Sequence, residues 1–167
     1  MKTEIPIRIL PIENDGFHLL IKVLVNNKKA NMLIDTGASK TVFDKNRIGN
    51  FVDDTDFDLN DKLSTGLGTS SMESHITTLR KIKIGEIGIS DYKTILLDLS
   101  HVNHSYQQLS IKPIDGVIGS DLLNDFKAVI NYGKQVLKLS DTKGKEKEEK
   151  KKEKVKSSGK AKASSRK

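Results

Sequence analysis

The sequence predicts an all-β domain, a small barrel-like body with one short helix near its C-terminal end. Three observations carry that expectation. Phe17, Leu19, Ile21, Val23 and Val25 alternate with His18, Leu20, Lys22 and Leu24, the two-residue period of a strand with one well-buried face. Apolar segments of strand length then recur along the chain between turn residues. Only Leu122, Leu123 and Phe126 share a face at helical spacing, with Ser120 or Asp121 placed to cap that helix. Many short strands with one late helix describe a barrel rather than a layered α/β fold.

The elements follow in order. After the strand at 17–25, Asn26-Asn27-Lys28-Lys29 is a polar turn, and 30–34 re-enters as a second strand. Further strands are expected at 76–84, 87–89 and 93–99, broken by Gly85 and Gly88. Residues 128–132 and 135–139, joined by Gly133-Lys134, close the body as a hairpin. No internal repeat is visible.

Composition limits the function classes. The chain has 167 residues, enough for one domain with a real core and too few for two large lobes. It has no cysteine, which excludes disulfides, cysteine nucleophiles and thiolate metal sites. No apolar run approaches the roughly 20 residues of a membrane-spanning helix, so no membrane partner is expected. Met1–Pro6 lacks a long hydrophobic stretch, so a cleaved secretion signal is not expected and a cytoplasmic protein is the default.

The net charge of +7 belongs to one end of the chain. Residues 141–167 hold twelve Lys/Arg against five Asp/Glu, while residues 1–140 hold seventeen of each sign. The chain therefore divides into a neutral folding body, 1–140, and a Lys-rich tail, 141–167. With Val155 as its one branched apolar residue, the tail cannot offset its ordering entropy and is expected to be disordered. Weak nucleic-acid contact through those lysines is possible in principle, without base stacking, because no aromatic residue interleaves them.

The stretch that carries chemistry is Met32-Leu33-Ile34-Asp35-Thr36-Gly37-Ala38-Ser39. A carboxylate directly after an apolar strand is costly unless hydrogen bonds satisfy it. Gly37 lets the backbone turn so that an N–H faces the carboxylate, and Ser39 is near enough to donate as well. The result is an ionisable acid on a stiff turn. Thr41-Val42-Phe43 follows it, and Ile114-Asp115-Gly116-Val117-Ile118-Gly119 stands downstream ahead of the helix.

This combination resembles the retropepsin-like aspartic proteases. Their hallmark is a hydrophobic pair and Asp-Thr/Ser-Gly-Ala/Ser, then a later hydrophobic-hydrophobic-Gly before a helix. Here these are Leu33-Ile34, Asp35-Thr36-Gly37-Ala38 and Val117-Ile118-Gly119. The likeness spans about residues 17–139, and 96–103 with 114–123 is similar to the single-domain bacterial members. It implies a closed single-lobe β-barrel that is active as a homodimer. Two carboxylates sharing one proton activate water in this family, and this chain has one Asp-Thr-Gly, so the second must come from another copy.

By the same resemblance Asp35 is catalytic, and Thr36, Gly37 and Ser39 support the active-site turn. Substrate would lie against Gly37, Ala38, Val117 and Ile118, under a flap at Gly66, Leu67 and Gly68. The substrate would be a peptide or protein, with no metal and no organic cofactor. The alternative is a catalytically silent module of the same fold that dimerises or binds peptides, its tail contacting polyanions.

Other signals carry less. Asp54-x-Asp56-x-Asp58 begins like a calcium loop but has Leu59 where glycine is needed and Thr65 where glutamate is needed. His101 and His104 lack a visible third ligand and read as surface-loop residues. Asp115 and Asp121 read as turn and cap residues.

Overall fold

A computed structural model describes residues 1–12, 16–53, 58–59, 64–66, 69–72 and 74–141. The expected flap residues Leu67 and Gly68, the carboxylates Asp54 and Asp56, and all of the tail beyond Asp141 lie outside the described residues.

The chain runs β1 (Lys2–Pro6), β2 (Arg8–Pro11), β3 (Phe17–Val25), β4 (Lys28–Ile34) and β5 (Val42–Asp44), then a 3-10 turn at Ile48–Asn50. It continues through β6 (Asp58–Leu59), β7 (Ser64–Gly66), β8 (Thr69–Met72), β9 (His75–Ile84) and β10 (Ile87–Leu97). It ends with α1 (Ser100–Gln108), β11 (Gly116–Ile118), α2 (Ser120–Asp125), β12 (Val129–Asn131) and β13 (Val136–Ser140). Strands β3, β4, β11, β5, β10 and β9 are hydrogen-bonded in that order, and β9 pairs back onto β3, which closes a six-stranded barrel.

Closure follows from the alternation. Leu19, Ile21, Val23 and Val25 of β3 all face the main core, where they meet Met32 and Ile34 of β4 and Ile82 and Ile84 of β9. A second apolar cluster, with Leu20, Val42, Val117 and Ile114, lies on the other side of the wall beneath Tyr106 of α1. The β3–β4 turn is tighter than expected: strand pairing resumes at Lys28, and Asn26 and Asn27 both take positive φ, as a two-residue hairpin requires. The closing hairpin forms as expected from β12 and β13, and β1 adds to it as a third strand. Its ends tie the body off, since the Met1 ammonium donates to the Asp141 carbonyl at 2.8 Å.

Three expectations are corrected. Gly88 does not break a strand, because β10 runs unbroken from Ile87 to Leu97; Gly88 occupies an exposed ladder position opposite Lys83, where no side chain is needed. A second helix, α1, covers the stretch read as a loop, and His101 and His104 sit exposed on it. Its sequence is polar and only Tyr106 is buried, so helical periodicity is faint. Long-range bonds hold it instead: Asn103 donates to Asp44 Oδ2 at 2.9 Å and accepts from the Ile114 N–H at 2.8 Å. Finally, the residue capping α2 is Gly119, in place of Ser120 or Asp121. No helix among the described residues is long and apolar enough to cross a membrane.

Candidate active site

The site stands where β4 leaves the barrel wall. β4 runs parallel to β11, with Leu33 opposite Val117 and Ile34 opposite Ile118. The ladder extends one residue further, as the Asp35 N–H donates to the Ile118 carbonyl at 3.1 Å. The chain then turns, with Ala38 N–H on the Asp35 carbonyl at 3.3 Å and Gly37 N–H on Asp35 Oδ1 at 2.8 Å. The expected donation from Gly37 to the carboxylate is therefore present.

Asp35, Thr36, Gly37 and Ser39 are exposed, and Ala38 is half-buried. Solvent and the Gly37 N–H together meet the charge, so the single chain carries no buried carboxylate here. Ser39 makes no hydrogen bond to Asp35 among the described residues. Val117 and Ile118 are both buried, with Ile118 in the main core beside Leu122 and Leu123. Gly66 ends β7, which pairs antiparallel with β8 as a separate two-stranded sheet. Thr36 shares a cavity of about 310 Å3 with Ser120, Leu123, Asn124, Ala128 and Ile130.

Thr41, to which sequence reasoning assigns no role, and Asp121, read there as a cap, hold the far end of the loop. Thr41 is buried and gives both its N–H and its hydroxyl to Asp121 Oδ1, each at 2.8 Å. The same hydroxyl accepts from the Gly119 N–H at 3.0 Å, and Asp121 Oδ1 also accepts the Leu122 N–H at 2.8 Å. With Ser120 N–H on the Ala38 carbonyl at 2.7 Å, these bonds clamp residues 38–41 to the start of α2. Asp121, expected from the sequence to be a cap, instead anchors the loop. Thr41 and Asp121 are 80 positions apart, and neither residue type signals the other.

Asp115 serves the wall. It is buried, accepts the Asn31 N–H at 2.7 Å and pairs with Arg47 Nε at 2.8 Å. This fits its reading as structural rather than catalytic.

Tyr92 backs the clamp, its hydroxyl 3.5 Å from Asp121 Oδ2. Burial first, and then the negative charge of Asp121, push its phenol up to about 12. The unfolded chain releases that proton near pH 10 while the folded chain keeps it, so stability is full below pH 10 and falls between about pH 10 and 12. Tyr92 is half-buried, and after discounting for solvent the loss is about 1–2 kcal/mol. Denaturant melts across that window are expected to show a smaller loss in Tyr92→Phe than in wild type.

Known proteins resemble this chain in sequence pattern and in fold. Residues 21–122 match the model of a family described as aspartyl protease. A comparison with curated protein sequences finds no match. Among solved structures, a retropepsin-like aspartic protease from Rickettsia conorii is similar at 23% identity, covering 83% of this chain and 91% of its own, with a TM-score of 0.53. The EIAV protease complexed with the inhibitor HBY-793 is similar at 21% identity, covering 69% and 93%, with a TM-score of 0.49. The retroviral protease-like domain of Ddi1 from Leishmania major is similar at 14% identity, covering 70% and 82%, with a TM-score of 0.48. The Rickettsia likeness establishes a shared retropepsin-like fold.

Proposed function

The chain belongs to the aspartyl protease family, and from that premise we propose that it is an endopeptidase working as a two-fold homodimer with one Asp35 from each copy at the axis. One carboxylate of the pair takes a proton from a water molecule, and the other, protonated, hydrogen-bonds the scissile carbonyl oxygen. The water oxygen bonds to the carbonyl carbon as the C=O π bond opens and the second carboxyl passes its proton to the carbonyl oxygen, giving a neutral tetrahedral diol. The C–N bond then breaks as a proton passes to the departing nitrogen, leaving an acid and an amine. No covalent enzyme intermediate forms. The step needs one carboxylate as base and one carboxyl as acid at once, so the rate is expected to pass through a maximum with pH.

The observation that carries this reading is Asp35 held by Gly37 on an exposed turn at the end of a core strand. Thr36 and Gly37 form the turn with it, Ser39 closes the loop behind it without bonding the carboxylate, and Gly37 and Ala38 meet the substrate. Val117 and Ile118 contribute by forming the wall behind the turn. Gly66, Leu67 and Gly68 are assigned to the flap, supported by the β7–β8 pairing on either side. Residues 1–140 act as the protease body, and 141–167 as an appended basic tail with loose polyanion affinity. A cytoplasmic location belongs to the same proposal and rests on composition.

The homodimer reading is supported by the surface beside Thr36. β12 is an edge strand of its sheet, and it carries Val129, 55% exposed, next to Tyr132, 60% exposed. An apolar edge of this kind suits pairing with a second copy. Val129→Glu is expected to leave the monomer folded, shift the sedimentation mass to that of one chain, and lower cleavage at least about tenfold at low protein concentration. A variant that stays dimeric and fully active would place the interface elsewhere.

A further inference from the structure

Away from Asp35 the barrel carries a second concavity. A groove of about 570 Å3 opens between the β1–β2 corner, strands β3 and β4, and residues 112–115. Its apolar part is aliphatic, lined by Ile5, Ile7, Leu20 and Ala30, all of them buried. Its rim is cationic: Arg8, Lys22, Lys29 and Lys112 are all exposed, and Arg47 is half-buried.

The charges do not cancel locally. Asp115, the one carboxylate among the described residues that line the groove, is buried and already engaged by Arg47 and the Asn31 N–H. Arg47 uses only Nε in that pair, which leaves its terminal nitrogens without a partner among the described residues. None of Arg8, Lys22, Lys29 and Lys112 makes an ion pair among the described residues, whereas Lys83 and Lys138 each meet a glutamate. Register brings like charges together: Lys22 lies opposite Asn31, so Lys29 is its diagonal neighbour on the same face, at a typical spacing of about 7–8 Å. A body that is neutral as a whole thus concentrates unpaired positive charge around one apolar floor.

The geometry points to this groove as a docking site for an acidic peptide segment that also carries aliphatic side chains. Carboxylates of an extended segment pair with the rim while an aliphatic side chain covers the floor. No aromatic side chain lines the groove among the described residues, so they offer no surface for the base stacking that single-stranded nucleic acid uses. Such a site draws acidic stretches of a protein substrate toward the enzyme at a point separate from the cut bond. Calling the docked segment part of a substrate rests on the peptidase reading; the docking itself does not.

The test is fluorescence anisotropy on the full chain carrying Asp35→Asn, near physiological salt. The probes are a labelled peptide of glutamate and leucine, its glutamine-leucine counterpart, and an oligothymidine strand. The groove is altered by Lys22→Glu with Lys29→Glu, and the control is Lys151→Glu with Lys152→Glu, which changes net charge equally within the tail. The groove pair is expected to weaken glutamate-leucine binding about tenfold or more, and the tail pair less than about threefold. Equal losses in the two variants would overturn the proposal in favour of bulk electrostatics. Equal binding of the glutamine-leucine peptide would reduce the site to an apolar cleft. Groove-dependent binding of oligothymidine without the acidic peptide would make it a nucleic-acid face. In a chain that retains Asp35, the groove substitutions are expected to leave cleavage of a neutral peptide at the wild-type rate. Absent cleavage with groove-dependent binding intact would count against the peptidase reading alone.

Discussion

Replacing Asp35 with asparagine is expected to abolish peptide cleavage while leaving fold and dimer in place. A positioned acid or base contributes about 10²–10⁴ in rate, roughly 3–5 kcal/mol of barrier. In a symmetric dimer one substitution removes both carboxylates, so the loss lies at or beyond the upper end. The fold has little reason to change. Asp35 is exposed, its carboxylate has the Gly37 N–H as its hydrogen-bond donor among the described residues, and an asparagine oxygen accepts the same bond. The stability change should stay within about 0.5 kcal/mol. Cleavage of a diverse peptide library by wild type and variant, each checked for mass and melting, reads all of this at once. A linked dimer with a single Asp35→Asn isolates the need for the pair and is expected to be inactive too. Retained cleavage in the double substitution would sink the assignment. No cleavage by either chain, with both dimeric, would favour the silent peptide-binding module.

The second large effect is expected at a residue that performs no chemistry. Gly119→Ala should lower stability by about 2–4 kcal/mol, combining forced overpacking with lost hydrogen bonds. An added Cβ would stand 2.4 Å from the Lys40 carbonyl carbon, 2.5 Å from its oxygen and 2.9 Å from the Ala38 oxygen. All three are backbone atoms, so no flexible side chain can yield. The conformation of Gly119 itself, φ −93° and ψ 179°, suits any residue, so the cost is contact rather than backbone strain. The active-site loop must move, weakening the Ser120–Ala38 and Gly119–Thr41 bonds that position it. Displacement of about 1 Å is enough to cost about 10²-fold in rate. Gly37→Ala is the informative contrast, because its Cβ would meet only the Asp35 Oδ1 at 3.2 Å, a side-chain atom. Denaturant melts and cleavage rates of the two variants separate loop support from catalysis, and a Gly119→Ala chain as stable and active as wild type would refute the clamp.

What was legible in the sequence follows its local physics. β3, β4 and the closing hairpin were readable because their apolar residues repeat every second position and their turns carry Asn-Asn and Gly-Lys. Helix α2 was readable from Leu122, Leu123 and Phe126. Helix α1 was not, since its side chains are mostly polar and Asn103 anchors it to Asp44 and Ile114 across the fold. Gly88 misled because glycine weakens a strand statistically, while the paired ladder around it tolerates an exposed position without a side chain.

The candidate site divides in the same way. The sequence by itself determined the acid and its turn, because the carboxylate, the hydroxyl and the glycine are all adjacent in one short run. Only the tertiary structure decided how that turn is held and what surrounds it. Closure of the barrel sets β4 beside β11, which brings Gly119 against Lys40 and Thr41 onto Asp121 from 80 positions away. The same closure leaves Asp35 exposed and gathers lysines from two strands and a distant loop around one apolar groove. Local spacing encodes strands, turns and reactive groups, whereas long-range pairing alone determines which distant side chains become neighbours.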